Sequence, residues 1–133
     1  TLHIFDTFNG LPETSINDNP IQFRKHDYKA LYEDVKKYLS QYPNVYIYKG
    51  VFPDTASNIR NNSFSLVHMD VDLYESTLSC LKFFYPRLNK GGILISHNYI
   101  DAQGVKKAFD NFFKDKPEPI IEMSGTQCLV VKC

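Results

Sequence analysis

The chain has 133 residues, about one domain, and 43% of them are hydrophobic. That is enough for one buried core and too much for a disordered segment. Fifteen basic and fifteen acidic residues cancel, which argues against a general grip on a nucleic-acid backbone, since that needs a clustered basic excess.

No apolar run is long enough to span a bilayer and no signal peptide is visible, so a cytoplasmic protein with no membrane partner is the default expectation. Cys80, Cys128 and Cys133 are odd in number and match neither a zinc site nor a disulfide framework. They read as free thiols in a reducing compartment.

In chain order, Leu2 to Phe5 reads as a short strand ending at Asp6. A carboxylate just after a strand is a common holder of ribose hydroxyls and equally an ordinary turn acid. The start, Thr1-Leu2-His3-Ile4-Phe5, lacks an initiator Met and resembles the interior of a strand, so residues 1–133 are expected to be one partial domain of a longer protein. Asn9-Gly10-Leu11-Pro12 signals a turn, and a polar loop then runs to about His26. Loops of that length in a compact domain are functional lids or are disordered.

Asp27 is placed to cap a helix carrying Tyr28, Leu31, Val35, Tyr38 and Leu39. Val45 to Tyr48 reads as a strand, with a turn through Asp54-Thr55 and a short helical segment around Ala56 to Ile59. Phe64 to Met69 is an apolar strand that delivers Asp70 and Asp72 and passes at once into a helix, starting near Ser76, with Leu78, Leu81, Phe84, Tyr85 and Leu88 at helical spacing. Asn89-Lys90-Gly91-Gly92 reads as a helix stop.

Ile93 to Ile95 is a second apolar strand, ending at Ser96-His97-Asn98-Tyr99. Val105, Ala108, Phe109, Phe112 and Phe113 trace an amphipathic helix whose aromatic stripe is core. Ile120 to Met123 and Gln127 to Lys132 form an antiparallel hairpin. Strands alternating with helices predict a mostly parallel α/β sheet with an antiparallel end.

Such sheets bind ligands in the crevice beyond the carboxyl ends of their strands. Asp70, Asp72, His97 and Asn98 are therefore expected to share one pocket. Carboxylate and amide oxygens suit Mg²⁺ or Ca²⁺, an imidazole pulls toward softer ions, and His97 is equally a candidate general base. His68 precedes the acids and falls on Asp70's side of the strand.

Four stretches together resemble one family. They are Phe5-Asp6-Thr7-Phe8-Asn9-Gly10-Leu11-Pro12, Lys49 to Thr55, His68 to Thr77, and Tyr85-Pro86-Arg87-Leu88 through Gly91-Gly92, and Gly104 to Phe109 continues the match. They are similar to the macrocin-O-methyltransferase (TylF-like) family over nearly the whole chain.

The resemblance implies a Rossmann-like class I methyltransferase fold, S-adenosylmethionine as cofactor, and transfer to a hydroxyl of a sugar or natural-product-like small molecule, assisted by a divalent metal, usually Mg²⁺. It makes Asp70 a metal ligand and candidate base, His97 and Asn98 the other ligand positions, Asp6 the ribose acid and Asp54 a residue near the adenine. The family has an acid where this chain has His97, which removes a negative charge and weakens the case for Mg²⁺.

The family also places a strand and glycine-rich turn ahead of Thr1. Without them the resemblance implies a gap between the Leu2–Phe5 and Phe64–Asp70 strands. The flanking strands close up, a second copy fills the gap as a homo-oligomer, or the chain is a fragment; in each case cofactor binding is expected to be weak. A non-catalytic binding module, an Asp-x-Asp glycosyltransferase and a phosphoacceptor receiver domain are the competing readings.

Overall fold

A computed structural model describes all 133 residues. Five parallel pairings from Leu2↔Val45 to Asp6↔Lys49 join β1 (Leu2–Asp6) to β2 (Val45–Lys49) as a two-stranded sheet. Between them lie the predicted loop and α1 (Tyr32–Leu39). The helix starts four residues later than the sequence predicts. Asp27 does not cap it: that carboxylate closes a turn by accepting from the Arg24 amide at 2.8 Å, and Leu31 stands at the N-cap without a side-chain hydrogen bond. Glu33 and Asp34 in the first turn and Lys36 and Lys37 in the last complement the helix dipole instead.

A 3₁₀ helix (Asp54–Ile59) leads to the second sheet, ordered β3-β4-β6-β5. In it β3 (Phe64–Met69) pairs parallel with β4 (Leu88–Ser96), β4 pairs antiparallel with β6 (Cys128–Val131), and β6 pairs with the two-residue β5 (Ile121–Glu122). The mixed sheet with an antiparallel end is as predicted. Asn89 to Gly92 are not a helix stop but part of β4. The register moves from Phe64↔Leu88 to Leu66↔Ile93, so β4 spends five residues where β3 spends two, and Gly91 takes the left-handed φ of +75° that this irregularity needs.

Two helices cover one face of this sheet. α2 (Tyr74–Phe84) buries Thr77, Cys80, Leu81 and Phe84, and α3 (Gln103–Phe113) buries Gly104, Val105, Ala108, Phe109 and Phe113. With Val67, Met69, Leu94 and Val130 from the strands they make the core, so the aromatic stripe of α3 is packing.

β1 and β3 are not hydrogen-bonded to each other. They line opposite walls of a cleft of about 490 Å³, with Leu2, Ile4, Leu66 and His68 among the lining residues. The predicted gap is therefore present, and the flanking strands have not closed up. His68 stands exposed on the wall of this cleft, which Asp70 also lines.

Candidate active site

β3 and β4 run parallel and end side by side, with Met69 opposite Ser96. The pairing continues one step, since the His97 amide donates to the Met69 carbonyl at 2.9 Å. Asp70 and His97 therefore emerge as neighbours, and His97 Nδ1 lies 3.3 Å from Asp70 Oδ1. The angle of this contact is not that of a hydrogen bond, so Nδ1 stays without a hydrogen-bond partner. On the other side of the ring, Nε2 is 3.4 Å from Thr126 Oγ1 in the hairpin turn. Both side chains are open to solvent, at 40% for His97 and 56% for Asp70.

Just beyond them the chain turns through a left-handed residue after each strand, Asp72 two residues past Asp70 at φ +58° and Asn98 one residue past His97 at φ +57°. Asp and Asn are the non-glycine residues that best tolerate this conformation, and such residues concentrate at functional sites. The turns bring the two side chains into contact, with Asn98 Nδ2 donating to Asp72 Oδ1. Asp72 is buried, and burial raises its carboxyl pKa above the ordinary value. The Asn98 hydrogen bond opposes that, and the nearby Asp70 charge adds to it.

These four residues line a cavity of about 540 Å³, within the range of roughly 300–1,000 Å³ typical of small-molecule sites. Asp6, at the end of β1, lines it too, with Oδ1 accepting from the Phe8 amide at 2.5 Å. Gly50, Val51 and Phe52 continue the wall, whereas Asp54 opens the following 3₁₀ helix and is not among the lining residues. Tyr99 and Tyr74 do not line it either: Tyr99 is buried with its hydroxyl donating to Asp110 at 2.7 Å, and the Tyr74 hydroxyl accepts from Asn111 at 3.4 Å.

The roof comes from the loop after β1. Its neck is closed by the Leu11 amide on the Asp27 carbonyl (3.0 Å) and the His26 amide on the Leu11 carbonyl (2.9 Å), and its Gln22, Phe23 and Tyr28 line the cavity. Sequence reasoning leaves this loop as a lid or a disordered segment and gives no role to Phe23, which is buried in the core cluster. An isolated Phe in a polar loop was the available signal.

The donor set does not make a metal centre. No group of three or more His, Cys, Asp or Glu side chains is arranged to hold an ion. His97 offers an imidazole where Mg²⁺ takes oxygen.

The model of the family described as macrocin-O-methyltransferase (TylF) matches residues 1–129. A Streptomyces olivaceus protein, 8-demethyl-8-(2,3-dimethoxy-alpha-L-rhamnosyl)-tetracenomycin-C 4'-O-methyltransferase, is 30% identical over 110 residues, covering 74% of this chain and 42% of that protein. A Streptomyces niveus demethyldecarbamoylnovobiocin O-methyltransferase is 28% identical over 122 residues, covering 84% of this chain and 47% of that protein. The chain thus spans about half the length of the curated relatives it matches.

Among solved structures, the O-methyltransferase NovP superposes with a TM-score of 0.84 at 24% identity over 99% of this chain and 60% of its own. The calicheamicin methyltransferase CalS11 does so at 0.73 and 19% identity, over 97% and 59%. These two likenesses establish the Rossmann-like methyltransferase fold. Fold, strand-end site and the match across nearly all of its residues together show that the chain belongs to the macrocin-O-methyltransferase (TylF) family.

Proposed function

We propose that this cavity is where a methyl group passes from S-adenosylmethionine to a hydroxyl of a sugar or natural-product-like small molecule. The observation that carries the proposal is the meeting of Asp70 and His97, 3.3 Å apart, on the wall of the same cavity that Asp6 lines from β1. A carboxylate at the end of one strand suits the ribose hydroxyls of the donor, and a carboxylate–imidazole pair at the ends of two others suits proton removal from an acceptor. The rhamnosyl group in the name of one curated relative supports a glycosylated acceptor. A divalent metal is not part of the proposal, because the donor set does not suit one.

S-adenosylmethionine supplies an electrophilic methyl group on a sulfonium. The acceptor hydroxyl gives its proton to Asp70 or to the His97 ring beside it. The oxygen forms the new bond to the methyl carbon, the carbon–sulfur bond breaks, and its electron pair returns to sulfur as a neutral thioether. Positioning the two substrates in line supplies much of the rate.

The test is release of S-adenosylhomocysteine by the whole protein with glycosylated natural-product acceptors, before and after Asp70→Ala and His97→Ala. A positioned base contributes about 10²–10⁴-fold, so Asp70→Ala is expected to remove detectable turnover while the fold, in which Asp70 is exposed, stays intact. Turnover within a few-fold of the parent refutes the role. Acceptor binding without any turnover of the parent favours the non-catalytic module instead.

A further inference from the structure

We propose that Asp18 is a positioning residue for this site, fixing the roof loop and the Asp72 turn to each other through one buried carboxylate. The proposal rests on methyl transfer taking place in the active-site cavity.

The first-turn amides of a helix have no partner inside it, and the N-cap of α2, Leu73, has no side chain able to supply one. The missing acceptor comes from across the molecule. Asp18 Oδ1 accepts from the Tyr74 amide at 2.7 Å, a contact spanning 56 residues. Its Oδ2 accepts from both the amide and the hydroxyl of Ser15, each at 2.7 Å. The carboxylate is 6% exposed, and its charge sits at the positive end of the α2 dipole.

α3 leaves room for this arrangement. A Cβ on Gly104 would collide with Asp18 Oδ1 and crowd the Tyr74 amide at 3.0 Å. The residue next to Asp18 ties the same loop to α3: the Asn17 carbonyl accepts from Gln103 Nε2 at 3.2 Å and its Oδ1 from Lys107 Nζ at 2.6 Å.

The two ends of the latch reach the cavity from opposite sides. Tyr74 follows Asp72 by two residues, across a tight turn in which the Leu73 amide donates to the Val71 carbonyl at 2.6 Å. Holding the Tyr74 amide therefore holds the left-handed Asp72 and its contact with Asn98. On the loop side, Gln22, Phe23 and Asp27 follow Asp18 and line the cavity. A carboxylate that touches neither substrate thus sets both the roof and one wall.

The experiment compares Asp18→Ala, Asp18→Asn and Gly104→Ala in the whole protein, with Lys25→Ala as a loop control whose exposed pair with Glu13 lies outside the latch. Steady-state rates are measured well below each variant's melting temperature, together with hydrogen exchange of the Tyr74 amide. Asp18→Ala is expected to lower kcat tenfold or more, leave the KM for S-adenosylmethionine within about threefold, and speed Tyr74 exchange at least a hundredfold.

Asp18→Asn, which keeps an acceptor for Tyr74 but not for the Ser15 amide, is expected to fall between. Gly104→Ala reproduces the loss by displacing the carboxylate without altering it, and Lys25→Ala stays within twofold of the parent. An active parent whose Asp18→Ala and Gly104→Ala variants lose Tyr74 protection yet keep kcat overturns the proposal, leaving Asp18 as a helix cap. A parent that transfers no methyl group to any acceptor overturns the function itself, and the role of Asp18 in it.

Discussion

At the scale of single residues, the site is held by unfavourable backbone as well as by contacts. Asn98 sits at φ +57°, which Gly adopts freely and a β-branched residue does not. Asn98→Val should therefore destabilise the protein by about 1–3 kcal/mol, while Asn98→Gly keeps the turn and loses only the bond to Asp72. Equal losses in thermal melts of the two variants rule out backbone strain as the cause.

Glu118 is a second residue whose environment sets a measurable property. It is 3% exposed and accepts from Lys132 Nζ at 2.6 Å, the Tyr85 hydroxyl at 3.0 Å and the Cys133 amide at 3.3 Å. Burial pushes its carboxyl up, but the bonds from Lys132, the backbone and Tyr85 outweigh it and bring it down to about 2, from 4.5. A folded pKa below the unfolded one gives stability that is complete above pH 4.5 and lost as the pH falls toward 2. Glu118→Gln should cost about 1–3 kcal/mol at neutral pH and flatten that acid limb in denaturant titrations; an unchanged limb assigns the acid sensitivity elsewhere. Glu118 stands between Pro117 and Pro119 and is not legible as a buried acid from the sequence, because its partners lie 14, 15 and 33 residues away.

At the scale of elements, periodicity located what packing enforces. The Val105, Ala108, Phe109 and Phe113 stripe was legible because a helix must present one apolar face to the sheet, and these four are buried. Phe109 is fully buried and stacks on Phe113 with centroids 5.8 Å apart. Phe109→Ala should therefore cost about 3–5 kcal/mol; a urea midpoint unchanged from the parent would mean that α3 is not part of the cooperative core.

Boundaries set by distant partners were not legible. α2 begins at Tyr74 rather than near Ser76 because Asp18 caps it from another element. α1 begins after Leu31 because Asp27 is occupied with Arg24. β4 reaches back to Leu88 because Phe64 and Lys132 offer it partners, the latter through the Gly91 amide at 2.7 Å. Nothing local to Asn89-Lys90-Gly91-Gly92 distinguishes that from a helix stop.

At the scale of the whole molecule, the gap between the two sheets decides how well the donor can be held. The strand-end carboxylates were legible because apolar runs ending in acids mark the open end of a parallel sheet, and the gap followed from the strand order of the family. What the sequence could not show is that the gap and the site communicate. The cleft between β1 and β3 and the candidate active-site cavity share Phe5, Asp6, Phe52, Asp70, Val71 and Cys80 as lining residues. A donor resting against Asp6 would thus face an opening of about 490 Å³, with part of its surface left in water.

Tight small-molecule sites bury 70–90% of the ligand surface. S-adenosylmethionine should therefore bind these 133 residues with a Kd of about 0.1–1 mM, corresponding to about 4–5.5 kcal/mol. Isothermal titration measures it directly, with Asp6→Ala as the control that should abolish residual binding. A Kd in the low micromolar range would mean that β1, Asp6 and the Gly50–Phe52 wall suffice by themselves, and that the cleft beside them plays no part in holding the donor.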